Sequence, residues 1–270
     1  FPTAPPAADF KQIHRTRMSE APNVAAWPDN TKANSIKLGD EKESYAVESY
    51  SQDISFSWRL LVNDDMDALT RAPSLMGNAM SRTVNAHAWA VVTANPTMSD
   101  GVALFSGVSG DRKNDNLGTA AAIGKDSLGE ARKLLRLMKG VNDPDGNASE
   151  AILNIEGRYL VVPAAIESDA LTQVQSQFQP DANKFQEVNQ FSNLSVVVEP
   201  LLDSNSLTAW YLLADPSQID TVEVTFLQGQ ETPVVTSWTD DKTWSLTYKI
   251  VQTFAAKAID HRGLIKNAGA

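Results

Sequence analysis

The feature that most constrains this chain is the order of its first third, where a long polar, strand-like segment runs directly into one long amphipathic helix. Weak alternation from Lys11 to Gln52, with turn-forming residues at 27–30 and 38–40, predicts a long β-hairpin. Each face of this hairpin has few apolar side chains, and an isolated two-stranded hairpin is only marginally stable in water. We therefore expect the segment to need a partner surface, which a neighbouring subunit would provide.

The helix that follows is predicted from about Ala72 to Ala94. Apolar and small residues recur there close to a period of 3.6, and the pattern ends before Asn95-Pro96. Pro73 suits the first turn of such a helix, where a backbone N–H is not required. With a rise of ~1.5 Å per residue, the helix is expected to be a rod longer than about 30 Å.

The hairpin segment supplies the candidate functional residues, which are contacts with a neighbouring subunit. Its apolar side chains lie on a segment that is not expected to have a core of its own, and exposed apolar groups in such a place mark interfaces. A basic cluster at residues 11–17 precedes the acidic remainder of the chain. This cluster could be a solvated arm, or it could contact nucleic acid or the carboxylates of a neighbouring subunit, and the contact with a neighbour is favoured. The predicted contact residues are Arg15, Arg17, Trp27, Ile36, Leu38, Tyr45, Val47 and Tyr50.

Composition excludes several classes of protein. The 270 residues suffice for one large or two medium domains with a real core. The net charge of −10 argues against a dedicated nucleic-acid binder, because phosphate contacts need clustered Lys and Arg. There is no cysteine, so disulfides and thiolate metal sites are excluded, and no apolar run reaches the ~20 residues that a membrane span needs.

No catalytic, cofactor or metal site is predicted. His14, His87 and His261 are far apart in sequence and form no metal-binding motif, and His87 is expected to be packed or hydrogen-bonded on its helix. Three segments resemble site motifs only in outline and are assigned to loops. The serine between glycines at 107–111 lacks the spacing of a nucleophile elbow, and the glycine-rich run at 118–126 is too long for a phosphate-binding loop. The acidic turn at 142–147 lacks the ligand spacing of an EF-hand.

The rest of the chain alternates between short helices and strands. A helix capped by Ser127 with Glu130 is expected from Leu128 to Lys139, and a polar helix from Ser168 to Phe178. Strands are expected at Tyr159–Val162, Leu194–Val198, Trp210–Leu213, Thr221–Leu227 and Trp244–Phe254.

Three stretches carry a resemblance to a known family: the segment from Phe10 to Asn95, MSDGVALF at Met98–Phe105, and RYLVVPAA at Arg158–Ala165. They resemble the major capsid proteins of tailed phages with the Hong Kong 97 fold. The resemblance is greatest to the branch whose capsid protein is linked to, or fused with, its prohead protease. It covers most of the first two thirds of the chain, whereas the last third is similar only in the broad order of its strands.

This resemblance implies an α+β subunit of the mature, processed form, with an N-terminal arm, an extended loop, a peripheral domain and an axial domain. Self-assembly into pentamers and hexamers of an icosahedral shell around double-stranded DNA is the implied function, without catalysis or cofactor. The implied partners are other copies, a portal, decoration proteins, a prohead protease and packaged DNA, but no membrane. The location would be the virion, after assembly in the host cytoplasm. The implied parts are 1–10 for the arm, 11–53 for the loop, 54–126 and 234–270 for the peripheral domain with its spine helix at 72–94, and 127–233 for the axial domain.

Two alternatives from other classes remain open at this point. One is a hydrolase with dispersed catalytic residues, which a pocket with convergent carboxylates would support. The other is a secreted β-rich binding protein, which a compact monomer without a protruding hairpin would support.

Overall fold

The computed structural model describes residues 1–19, 24, 26–32, 38–63, 68–107, 115–141, 151–178 and 188–270. Its helices are α1 (Trp58–Val62), α2 (Ala68–Thr93), α3 (Lys125–Arg136) and α4 (Glu167–Gln175). Its strands are β1 (Ile13–Met18), β2 (Asp40–Tyr45), β3 (Glu48–Phe56), β4 (Leu117–Gly118), β5 (Gly157–Val162), β6 (Ser195–Val198), β7 (Trp210–Ala214), β8 (Val222–Phe226), β9 (Val234–Thr239), β10 (Leu246–Ala258) and β11 (Leu264–Asn267).

The chain divides into two compact units. The first contains Phe1–Ile13, Ser44–Val91 and Val222–Lys257, and the second contains His14–Glu43, Val92–Thr221 and Ala258–Ala270. These bounds differ from the predicted peripheral and axial segments. The assignment of those segments to places in a shell therefore stays a prediction.

The first unit is a sheet covered by α2. β10 is the central strand and pairs antiparallel with β3 on one side and with β9 on the other, while β8 joins the same sheet. Alternate residues of β10 face the helix, so that Ile250 and Phe254 pack against Met76 and Met80. The amphipathic pattern of α2 therefore serves to cover one face of this sheet.

The N-terminal segment lies along β8. Backbone hydrogen bonds join Ala4 N to Val224 O at 2.9 Å and Ala7 N to Phe226 O at 2.8 Å, and the Phe1 ring packs edge-on against Trp89 at 4.7 Å. This proline-rich segment is thus extended, and backbone hydrogen bonds hold it along β8 of its own chain.

The second unit contains a five-stranded sheet in the order β4-β11-β7-β5-β6. One face packs against α3 and α4 through residues such as Leu135, Val174 and Leu212. The other face is buried as well, and there the rings of Phe105 and Tyr211 lie 5.7 Å apart. The continuous burial of β7 explains its unbroken apolar sequence, WYLLA.

Three local predictions need correction. Helix α2 begins four residues before Ala72, so Pro73 lies inside the helix rather than in its first turn. Helix α3 begins at Lys125 with Gly124 as its N-cap, and Ser127 is the third helical residue, whose hydroxyl accepts the Gly124 N–H at 3.0 Å. Trp244 is not an inward-facing strand residue, because it precedes β10 in the left-handed region at φ 55°.

Candidate subunit-contact surface

A two-stranded ribbon, defined as β1, β2 and the described residues between them, carries the candidate contact surface. β1 and β2 pair only with each other among the described strands. Beyond β1, Ser19 N donates to Gly39 O at 2.7 Å and Gly39 N donates to the Ser19 hydroxyl at 2.9 Å. The predicted hairpin is therefore confirmed for β1 and β2, whereas β3 belongs to the sheet of the first unit.

The ribbon exposes apolar side chains to an unusual degree. Val24 is 98% exposed and Trp27 is 70% exposed, and Met18 and Leu38 are exposed as well. Surfaces that bind other proteins are enriched in exposed aromatic and methionine side chains. Trp27 and Leu38 thus lie where a contact with a neighbour was predicted, while Ile36 lies outside the described residues.

The indole of Trp27 is fixed by a local turn. Its Nε1–H donates to Thr31 O at 2.7 Å, and the Thr31 hydroxyl donates to Pro28 O at 2.7 Å. Asn30 within the turn has φ 60°, a conformation that Asn adopts more readily than most residues. A ring held in one orientation loses less conformational entropy on binding, so this turn suits a contact residue.

Arg17 has carboxylate partners within its own chain, at the base of the ribbon. Its guanidinium contacts Glu41 of β2 at 3.0 Å and also pairs with the buried Asp260. Arg262 contacts Glu41 at 3.1 Å and Asp260 at 3.4 Å, so two cations and two carboxylates form one cluster. The expectation that Arg17 seeks a neighbour's carboxylate is corrected, since this cluster attaches the ribbon to the turn before β11.

Arg15 lies on the same, less exposed face of β1 as Arg17, because residues two apart on a strand share a face. His14, in the alternate position, is on the exposed face. The basic cluster that the sequence presents as continuous is therefore divided between two faces of the ribbon.

Tyr45 and Val47 are buried in the first unit rather than exposed. The Tyr45 hydroxyl donates to the Glu223 carboxylate and lies 2.7 Å from the Thr225 hydroxyl, and both partners are buried on β8. The premise that this segment has no core of its own is wrong at these two positions. Val47 is buried, and β8 supplies polar partners for Tyr45 that the sequence pattern does not reveal.

Tyr50 also packs inside the first unit. Its ring stacks on Phe254 at 4.5 Å and meets His87 of α2 edge-on at 4.7 Å. Partial burial, followed by the nearby charge of Glu48, raises the pKa of the Tyr50 hydroxyl above its usual value. His87 contacts the rings of Tyr50 and Phe254, as expected for a packed residue, but its side chain is exposed rather than buried.

The sequence interpretation missed a second exposed apolar surface, at one end of the sheet of the first unit. Trp58 and Trp244 meet edge-to-face with ring centroids 5.3 Å apart, and both rings are about half exposed. Trp238 on β9 is exposed as well. The signal that could have revealed this surface is the pair of tryptophans, Trp238 and Trp244, just before and at the start of the strand predicted from Trp244 to Phe254.

Within the described ranges, no group of three or more His, Asp and Glu side chains is arranged to hold a metal ion. None of the described helices combines the length and apolar character that a bilayer span requires.

The comparisons with known proteins agree with the fold. Residues 40–267 match the family described as phage capsid protein. No curated protein matches the chain. Among solved structures, a chain from the capsid of the cyanophage P-SCSP1u gives a TM-score of 0.64 at 10% identity, covering 99% of this chain and 86% of that chain.

Two further structures have the same fold. A chain from the mature capsid of bacteriophage PhiM1 gives a TM-score of 0.60 at 10% identity, over 96% of this chain and 82% of that one. A chain from Mycobacterium phage Bobi gives 0.60 at 10% identity, over 100% of this chain and 88% of that one. The expected Hong Kong 97-type α+β fold is thus confirmed. The chain belongs to the phage capsid protein family, and its role is that of a major capsid protein, a subunit of a phage head.

Proposed function

We propose that this chain assembles with copies of itself into pentamers and hexamers of an icosahedral shell that encloses double-stranded DNA, and that the ribbon makes a principal contact between subunits. The observation that carries this proposal is the exposure of Val24 and Trp27 on a ribbon whose base is fixed by ion pairs. A fixed base with an apolar, outward-facing end suits a contact with another molecule.

The finer assignments of the parts follow from the same proposal. Residues 1–10 would be an arm, residues 11–53 an extended loop, and the remaining segments the peripheral and axial domains. A portal, decoration proteins and a prohead protease would be further partners, and assembly would take place in the host cytoplasm.

The role is structural rather than catalytic in this proposal, and packaged DNA would be touched without sequence preference. A net charge of −10 disfavours strong phosphate binding, so DNA could be enclosed without being held tightly. Family membership favours this function over the hydrolase and the secreted binding protein.

Trp27→Ser tests the ribbon contact. Since the Trp27 ring is mostly exposed, the substitution should leave the free energy of unfolding within about 0.5 kcal/mol of wild type. Assembly, followed by sedimentation velocity and negative-stain microscopy, should be reduced strongly. Trp27→Phe is the matched control and should retain most assembly, because it keeps an aromatic ring. Normal shells from Trp27→Ser would contradict the proposed role of Trp27.

A further inference from the structure

The sheet of the first unit has three edge strands, because β10 pairs with β3 on one side and with both β8 and β9 on the other. Two of these edge strands, β8 and β3, are protected from pairing with a further strand. The N-terminal segment covers β8, where Gln228 N also donates to Ala7 O at 2.8 Å. β3 carries the exposed charges Glu48 and Asp53. Charged side chains and covering segments are the means by which proteins prevent unwanted pairing at an exposed strand.

The third edge, β9, has neither form of protection in the part of the chain that the structure describes. β9 pairs with β10 on one side, and all six of its residues, VVTSWT, are exposed. The strand contains no charged residue and no proline, and valine, threonine and tryptophan all favour strands. An uncharged, exposed edge of this kind is a template for a further strand.

We infer that β9 pairs antiparallel with β9 of a second copy of this chain, across a two-fold axis perpendicular to the sheet. This inference rests on the proposed self-assembly and names a second contact within it. Self-pairing places the central residue of the strand opposite its own copy, so a charge near the centre of the strand would lie close to the same charge. β9 has no charged residue there, whereas β3 has Asp53 next to its central residue, Gln52.

The register of the inferred pair follows from which residues share a face. Val234, Thr236 and Trp238 oppose Val251, Lys249 and Thr247 of β10, so they lie on one face of the sheet. A two-fold axis at Thr236 places Trp238 of one copy opposite Val234 of the other, twice. Aromatic and β-branched residues form favourable cross-strand pairs, so this register covers Val234 and Trp238 of both copies.

Charge substitutions at the centre of the pair test the inference. Thr236→Lys and Thr236→Glu each place like charges opposite one another, so each variant alone should lose assembly in sedimentation and negative-stain experiments. Mixing the two variants should restore it, because Lys then opposes Glu. Ser51→Lys, an exposed position on β3, is the matched control and should assemble as wild type does. Circular dichroism of each variant should be that of wild type.

Two results would overturn the inference. One is normal assembly of Thr236→Lys. The other is loss of assembly in both variants without rescue by mixing, which would show that β9 contacts a different segment of the neighbouring subunit rather than its β9.

A cysteine experiment separates this inference from the proposed assembly. The chain has no cysteine, so Thr236→Cys introduces a single thiol that should give a disulfide-linked dimer under mild oxidation, while Ser51→Cys should not. If wild type forms no large particles, the proposed assembly fails, but dimers of Thr236→Cys alone would still support the β9 pair. Equal cross-linking of both variants, or of neither, would contradict it.

Discussion

Tyr45 and Glu223 form a contact of the first unit that the sequence pattern does not reveal. They are 178 positions apart, and each is a polar residue on a strand. The tyrosine ring is buried while its hydroxyl reaches the carboxylate, which satisfies a buried acceptor that would otherwise be costly. Sequence alone shows an aromatic residue near an exposed hairpin, and only the position of β8 shows that the residue is internal.

Tyr45→Phe should therefore destabilise the chain. The substitution keeps the ring but removes the donor to Glu223, and a hydrogen bond to a charged group contributes about 1.5–3 kcal/mol. Urea unfolding should show a loss in that range. Tyr159→Phe serves as control, because no hydrogen bond of the Tyr159 hydroxyl lies within the described residues, and its unfolding midpoint should be unchanged. An equal effect of both substitutions would show that the Tyr45 hydroxyl has no special role.

Among the elements, those with strong periodicity or continuous apolar sequence were predicted well. Helix α2 and the strands β5, β6 and β7 lie where the sequence places them, within a few residues. Burial explains this success, because a core-facing surface imposes its period on the sequence. β9 was missed for the opposite reason. Its two faces and its edge are all exposed, so nothing requires apolar residues at alternate positions.

The contact surface was predicted less completely than the fold. Trp27 and Leu38 are exposed on the ribbon, but Arg17, Tyr45, Val47 and Tyr50 have partners within the chain. These partners come from β8, from α2 and β10, and from the turn at residue 260. Their proximity depends on tertiary pairing, which local composition does not encode. The Trp58–Trp244 contact was missed for the same reason, since it joins residues 186 positions apart.

The packing of α2 on its sheet gives a prediction at this scale. Met80 is buried among Ile250, Phe254 and their neighbours, so Met80→Ala should leave a cavity that costs about 2–5 kcal/mol. Thermal and urea unfolding would measure this loss. Leu75→Ala, at an exposed position on the same helix, should change the stability by less than about 0.5 kcal/mol. A small effect at Met80 would show that α2 does not cover this sheet.

At the scale of the whole molecule, the chain has a complete core in each of its two units and also exposes two apolar surfaces, on the ribbon and around β9. Folding and assembly should therefore be separable. A deletion of most of the predicted loop, from Asn23 to Val47, would not separate them, because it removes Glu41 from the ion-pair cluster and Tyr45 from the core. The useful cut lies beyond Ser19 and Gly39, which hydrogen bonds already hold together.

The most direct measurement compares wild type with a variant in which residues 20–38 are replaced by a short glycine-based turn from Ser19 to Gly39. Both proteins are followed by sedimentation velocity and negative-stain microscopy, with circular dichroism and urea unfolding as checks of folding. We predict that the variant keeps mixed helix and strand content and cooperative unfolding, while only wild type forms capsomers or shells. Shells from the variant, or a wild-type chain that stays monomeric at high concentration, would contradict the account.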